Sequence, residues 1–225
     1  MTLKLPCKIL VVAAHSDDEV LMAGGLLIKN KNLGGTNKII FFTDGISSRV
    51  QISKNKPLRN KESIEAANIL GAEIIYSGNF PDNKLDSVPL LDLIKIIEKQ
   101  ILLIKPQIII THCQDELNID HQIVGRATLT ACRPVNNLNL VTILLGNVSS
   151  SNEWHINQKS IKNNLFIDIE KEKDLKYKAL QIYNSEKRMS PNPRSLEMVT
   201  AKDKFTGSIA GFLSAESFFI HKTCL

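Results

Sequence analysis

Short apolar, β-branched runs alternate with longer helical patterns through the first 132 residues, and this alternation leaves little choice of architecture. Strand-like runs fall at residues 8–14, 38–43, 73–76 and 107–111, and helix-like patterns at 19–31, 57–70, 89–103 and 121–132. Strand, helix and strand in succession mean parallel strands joined by crossover helices. The runs "KILVVAA", "KIIFF" and "QIIIT" are apolar throughout, as strands are when helices cover both faces of their sheet. The pattern predicts a doubly wound α/β fold, a mostly parallel β-sheet with helices on both faces.

Beyond residue 132 the pattern loosens. A strand is expected at 140–145, an Asn/Ser-rich loop at 146–163, a strand at 164–168 and a helix over 170–185. Pro191 and Pro193 should stop that helix, a second should start from Arg194, and "AESFFI" reads as a final strand. There is no internal repeat, low-complexity tract or linker, so residues 1–225 are expected to form a single domain. With 43% apolar residues, 225 residues suffice for one sizeable core.

The apolar runs fall far short of the roughly 20 residues that span a bilayer, so no transmembrane segment is expected. "MTLKLPCKILVV" has Lys4 and Lys8 on either side of Pro6 and no small-residue cleavage site, which makes a poor signal peptide and a cytoplasmic location the expectation. Cys7, Cys113, Cys132 and Cys224 lie far apart without a C-x-x-C pair and read as buried, reduced thiols. The net charge of +5 comes from lysines scattered among asparagines, with only three tyrosines and one tryptophan for stacking. Nucleic acid is therefore not the expected partner, and anionic small substrates are at least as well served. A homo-oligomer is left open.

In open parallel sheets ligands bind beyond the carboxyl ends of the strands. Three segments follow strands directly: "AAHSDDE", "TDGISSR" and "THCQDELNIDH". In the first, His15 and Asp18 are three apart at a strand-to-helix turn, a spacing that lets imidazole and carboxylate converge on zinc or a similar divalent ion. His121, at the start of the helix after the fourth strand, is the best third ligand, which leaves a fourth position for water. Asp17 cannot aim at the same ion as its neighbour. It is free to act as general base, taking a proton from a water whose pKa the ion lowers and passing it to a leaving amine. Asp120 can brace a histidine. Glu19 reads as a charge favoured at a helix start. Taken singly, each of these residues also has an ordinary structural reading. The two clusters after strands of one sheet favour a site.

"AAHSDDEVLMAGG" closely resembles the "AHPDDE…GG" signature of the PIG-L / LmbE-like deacetylase family, and "THCQDELNIDHQIVGRA" resembles its second motif, which ends in Asp-His. "TDG" at 43–45, "RNKESIEAANILG" at 59–71 and "FPDNKLD" at 80–86 are similar as well, so the likeness covers nearly the whole chain. The resemblance implies a Rossmann-like fold and a zinc-dependent N-deacetylase acting on an N-acetylated sugar. It makes His15, Asp18 and His121 metal ligands and Asp17 the base, as the residues themselves suggest. It maps sugar contacts onto Arg59 and Asp82, although Arg59 can equally pair with Glu62 along a helix.

Two letters depart from the family pattern. Ser16 stands where the signature has proline, and Asn118 stands where some relatives carry a histidine that stabilises the oxyanion. An amide can donate a hydrogen bond there but carries no full charge. His112, just past the fourth strand, is a substitute or a structural residue. "SSSNEWHINQ" and "KRMSPNPRS" resemble segments that cover the site in a subgroup of these enzymes. Trp154 either stacks on a sugar or plugs its loop, and Arg194 and Arg188 either bind a phosphate or start a solvated helix.

The expected activity is hydrolysis of the acetamide of an N-acetylated amino sugar or its conjugate, with Zn2+ as cofactor and Fe2+ suited to the same ligands. The alternative is a catalytically impaired sugar- or metal-binding member of the same fold, motivated by Asn118.

Overall fold

The computed structural model describes residues 3–45, 56–134, 142–151, 153–154 and 162–223. In chain order the elements are β1 (Lys8–Ala13), α1 (Asp18–Asn32), β2 (Thr36–Thr43), α2 (Lys56–Ile69), β3 (Ala72–Phe80), α3 (Leu90–Ile104), β4 (Ile108–His112) and α4 (Ile119–Ala131). They continue with β5 (Thr142–Gly146), β6 (Leu165–Asp168), α5 (Lys173–Ile182), α6 (Leu196–Ala210) and β7 (Ala215–Thr223). Among the described residues one seven-stranded sheet runs in the order β3-β2-β1-β4-β5-β7-β6. The first five of these strands are parallel, and β7 is antiparallel to both β5 and β6.

The pleat of β1 explains why its whole run is apolar. Ile9, Val11 and Ala13 point into a core shared with Leu26 and Leu27 of α1, Ala66 and Ala67 of α2, Ala179 of α5 and Val199 of α6. Leu10, Val12 and Ala14 point the other way, against Leu93, Ile97 and Ile101 of α3 and Val124 and Ala127 of α4. Side chains alternate between faces with period two, and both faces are covered, so every position after the exposed Lys8 is apolar.

Several boundaries differ from the sequence expectation. The third strand runs to Phe80, where Gly78 continues it past register shifts against β2; a Cβ at Gly78 would lie 2.2 Å from the Phe42 carbonyl oxygen. The helix expected over 170–185 is shorter. At its start the Asp168 carboxylate accepts the Glu170 N–H. At its end Tyr183 leaves helical geometry at ψ 63 and a single 3-10 turn, Asn184–Glu186, follows. The chain therefore turns well before Pro191. The next helix starts at Leu196, with the Ser195 side chain accepting the Met198 N–H as its cap. Residues 140–141 of the expected fifth strand, 46–49 of "TDGISSR", much of "SSSNEWHINQ" and Cys224 lie outside the described residues.

Helix α1 is bent at Ala23, whose φ of −147 breaks the helical ladder. The amides freed by the break, Gly25 and Leu26 N–H, donate to the two carboxylate oxygens of Glu216 on β7 at 2.7 and 2.8 Å. Glu216 thus caps the second half of α1 from another part of the chain. Buried Lys176 of α5 balances its charge at 3.0 Å and that of Asp203 at 2.8 Å.

The strand order reverses between β1 and β4: the chain winds outward through β2 and β3, then crosses back. The carboxyl ends of β1 and β4 lie side by side at this switch point, where a crevice for ligand opens.

Candidate active site

His15 leaves β1, and His121 lies in the first turn of α4. Asn118 caps that helix, its Oδ1 accepting the Asp120 and His121 N–H groups at 2.9 and 3.2 Å. Gly125 lets α4 close on β4, since a Cβ there would lie 2.7 Å from the His112 carbonyl oxygen. Together these features bring His121 across the switch point to His15.

The three ligand atoms form a nearly equilateral triangle. His15 Nδ1 is 3.2 Å from His121 Nε2 and 3.3 Å from Asp18 Oδ2, and His121 Nε2 is 3.4 Å from Asp18 Oδ2. A tetrahedron with zinc bonds of about 2.0–2.1 Å has edges of roughly 3.3–3.4 Å. The tautomers agree with this geometry. His15 Nε2 faces Asp82 Oδ1 at 3.0 Å and Asp120 Oδ2 at 3.2 Å, and His121 Nδ1 faces Glu116 Oε2. With a metal bound, those nitrogens would carry the protons and leave Nδ1 of His15 and Nε2 of His121 as lone-pair donors beside the Asp18 oxygen. Asp18 Oδ1 is buried without a hydrogen-bond partner. Three electron-rich atoms in mutual contact call for a cation among them, and His15, Asp18 and His121 fit a divalent metal.

Each histidine is braced by carboxylates from outside its own segment or turn. Asp120 accepts the Asn83 and Leu85 N–H groups at 2.8 and 3.0 Å, which fixes it against His15. Glu116, fully buried, accepts the Val148 N–H at 2.7 Å with its other oxygen. Burial alone would raise the Glu116 pKa, but the His112 and His121 rings bring it down to about 2.

Asp17 sits beside the triangle in a left-handed conformation, φ 112 and ψ −27. For a residue with a Cβ this costs on the order of 1–3 kcal/mol. Its carboxylate makes no helix cap and instead pairs with two guanidinium groups, Oδ1 with Arg59 and Oδ2 with Arg194, each at 3.3 Å. Burial pushes the Asp17 carboxyl up, Arg194 and Arg59 pull it back, and the balance lies above the ordinary carboxylate value.

A cavity of about 160 Å³ opens over these groups, lined by His15, Asp17, Gly45, Arg59, Asp82, Asn83, Asn118, Glu186, Arg188 and Arg194. Arg59 reaches its wall, but acceptors surround all five of its N–H donors. Nε meets Ser16 Oγ at 2.8 Å, Nη2 the Ser16 carbonyl and Asp17, and Nη1 Ser185 Oγ at 3.2 Å and Glu186 at 2.8 Å. Glu62 does not pair with Arg59 along the helix; it accepts the Ser185 N–H and hydroxyl. The Arg194 Nε is spent on the Ser149 carbonyl and Ser150 Oγ, while its Nη groups face the cavity side where Asp17 lies. Asp82 lines the cavity and at the same time braces His15.

Two sequence candidates stand apart from the cavity. His112 is fully buried behind His121, stacked on it with ring centroids 4.0 Å apart, and its Nε2 accepts the Ala14 N–H at 2.9 Å. The other nitrogen, Nδ1, is buried 3.7 Å from Glu116, and His112 is not among the residues that line the cavity, so the ring backs His121 instead of facing an oxyanion there. Trp154 is 69% exposed and is not among the lining residues.

Residues 10–132, more than half of the chain, match the model of PIG-L, described as GlcNAc-PI de-N-acetylase. The chain belongs to the PIG-L family. No curated protein sequence matches it. Among solved structures, this PIG-L chain is 23% identical to N,N'-diacetylchitobiose deacetylase from Pyrococcus horikoshii, with a TM-score of 0.75 over 95% of this chain and 83% of that one. GalB, the 4-carboxy-2-hydroxymuconate hydratase from Pseudomonas putida KT2440, is 20% identical, TM-score 0.75, over 97% of each chain. The zinc-inhibited form of teicoplanin deacetylase Orf2 is 14% identical, TM-score 0.76, over 95% of this chain and 97% of that one. At such identities these likenesses establish the shared fold.

Sequence reasoning about this PIG-L chain missed Glu116, Glu19 and Tyr183. Glu116 lies within the quoted "THCQDELNIDH", but three acids precede His121 there and spacing does not say which one reaches the ring. Glu19, read as a helix-start charge, is fully buried between the Asp17 N–H and the Tyr183 hydroxyl. Tyr183 lies 164 residues from Glu19, and no local signal links them.

Proposed function

We propose that this chain is a metal-dependent N-deacetylase that hydrolyses the acetamide of an N-acetylated amino sugar or its conjugate. One observation carries the reading: a His15, Asp18, His121 triangle of zinc-like dimensions beside a buried Asp17 carboxylate, at the floor of a cavity, in a PIG-L-family chain. Two structural relatives are deacetylases, of N,N'-diacetylchitobiose and of teicoplanin, which supports the reaction class.

A divalent ion held by His15, Asp18 and His121, zinc by our assignment, supplies positive charge that polarises the amide carbonyl and acidifies water. Asp17 takes the proton from the attacking water and delivers it to the departing nitrogen, so that acetate and a free amine leave. Asn118 spends its oxygen on the start of α4 and one N–H on Asn83 at 3.1 Å, which leaves its second N–H as the oxyanion donor. Arg194 is the sugar-side donor, because its Nη groups are less engaged than those of Arg59.

Purified protein should contain about one equivalent of zinc and release acetate from N-acetylhexosamine conjugates in a panel of free, nucleotide-linked and lipid-linked sugars. Asp17→Asn should keep the metal and lose about 10²–10⁴-fold in turnover. Full turnover in that variant, or no acetate from any member of the panel, overturns the assignment.

A further inference from the structure

We infer that Glu19 is a positioning residue for Asp17: it holds the Asp17 backbone in the left-handed conformation that turns the carboxylate away from helix α1 and into the cavity. The inference rests on Asp17 serving as the base.

An aspartate at the start of a helix ordinarily folds its carboxylate back onto an N–H of the first turn. Asp17 occupies that position yet makes no such bond; its side chain goes to Arg59 and Arg194 instead. The Asp17 backbone, at φ 112 and ψ −27 instead of the extended conformation usual at a helix cap, is what separates the two arrangements, and a residue with a Cβ does not hold it unaided. Glu19 supplies the restraint. Its Oε2 accepts the Asp17 N–H at 2.9 Å, a bond like the return half of a capping box but made from N2 instead of N3, and without the half in which the cap side chain binds the helix. The other oxygen, Oε1, accepts the Tyr183 hydroxyl at 2.6 Å.

The restraint closes on itself. The Tyr183 ring lies under the Arg59 guanidinium, 5.1 Å from ring centroid to Cζ, and Arg59 binds the Asp17 carboxylate. Asp17 is thus held at its backbone through Glu19 and at its side chain through Arg59, and both routes meet at Tyr183. Glu19 and Tyr183 are 0% and 1% exposed, and neither lines the cavity. Glu19 therefore acts through Asp17. A buried carboxylate that served packing alone would be better replaced by an apolar side chain.

The test compares Glu19→Leu, Glu19→Gln, Tyr183→Phe and Asp17→Asn as metal-loaded enzymes. Glu19→Leu is expected to lower kcat by about 10- to 100-fold with KM within about twofold of wild type, the loss that follows from misplacing a reacting group. Its metal content and the visible spectrum of its cobalt form should stay as in wild type, and its crystal structure should show Asp17 at negative φ. Glu19→Gln should recover most of kcat, since the amide oxygen can take the Asp17 N–H while the amide nitrogen donates to the Tyr183 hydroxyl. Tyr183→Phe keeps the bond to Asp17 and should show a loss in kcat smaller than that of Glu19→Leu; if Glu19→Leu does not fold, a kcat loss in Tyr183→Phe at unchanged KM and metal content carries the test. Wild-type kcat in Glu19→Leu, failure of Glu19→Gln to recover it, or a loss that follows metal content overturns the inference. Full activity in Asp17→Asn overturns the base assignment and the inference with it; an inactive Asp17→Asn beside a fully active Glu19→Leu overturns the inference alone.

Discussion

Glu116 faces His121 Nδ1 from five residues upstream while its second oxygen takes the Val148 N–H at 2.7 Å, so one carboxylate ties a candidate metal ligand to the segment that follows β5. Replacing it with glutamine leaves one oxygen for two donors and turns an NH₂ group on the other. Glu116→Gln should therefore weaken metal binding by about 10- to 100-fold, the range typical of bracing carboxylates, with zinc competition titration as the measurement.

Metal uptake should release protons at neutral pH. Burial alone would lower the His15 pKa, but Asp120, Asp18 and Asp82 outweigh it and carry it well above 6.5. For His121 the Asp18 and Glu116 carboxylates do the same to a lesser degree. Metal-free protein therefore keeps a proton in the triangle at pH values where a free imidazole has lost it, and the ion must displace that proton. Affinity should fall as pH drops and rise as it increases above about 6.5. Calorimetry at pH 7 in buffers of different ionisation enthalpy should count about one to two protons released per metal.

Ser16, the irregular letter of the first motif, is an acceptor for Arg59 Nε at 2.8 Å. Proline cannot offer that oxygen, and Arg59 is 3% exposed. Ser16→Ala should leave a buried guanidinium donor unpaired and cost roughly 1–3 kcal/mol in urea denaturation. An unchanged midpoint would show that water or another acceptor replaces the hydroxyl.

Lys176 is 1% exposed among Asp203 and Glu216. Lys176→Met removes the cation that pairs with both Asp203 and Glu216 and should destabilise the fold by about 3–5 kcal/mol, because two buried carboxylates lose that partner. For a chain of this size that is a fall in Tm of roughly 6–20 °C by calorimetry. Burial would lower the Lys176 pKa, but Asp203 and Glu216 raise it above 10.5. The folded state therefore binds this proton more tightly than the unfolded chain. The stabilisation is complete below about pH 10.5 and is lost as pH rises through the folded value, so the difference between wild type and Lys176→Met should narrow only in strong alkali.

The alternation of apolar runs with amphipathic stretches was enough to read the α/β sheet, because local periodicity records which faces of each element are buried. The same pattern placed His15 and Asp18 in the turn after β1 and His121 at the start of the helix after β4, and the carboxyl ends of parallel strands share one edge. The register of the later elements was less legible. α5 ends at Tyr183, whose hydroxyl binds distant Glu19, and β3 passes Phe42 at Gly78, where a neighbouring carbonyl leaves no room for a Cβ.

The sequence by itself determined the layered architecture, through its periodicity, and singled out His15, Asp18 and His121 as candidate ligands for a metal, through residue type and position after strands. Only the tertiary structure decided which carboxylate braces which histidine, that Arg59 is consumed by Ser16, Asp17, Ser185 and Glu186, and that Glu19 grips the Asp17 backbone. Hydrogen bonds depend on the meeting of atoms from distant segments, and no local pattern of residues specifies how those segments meet.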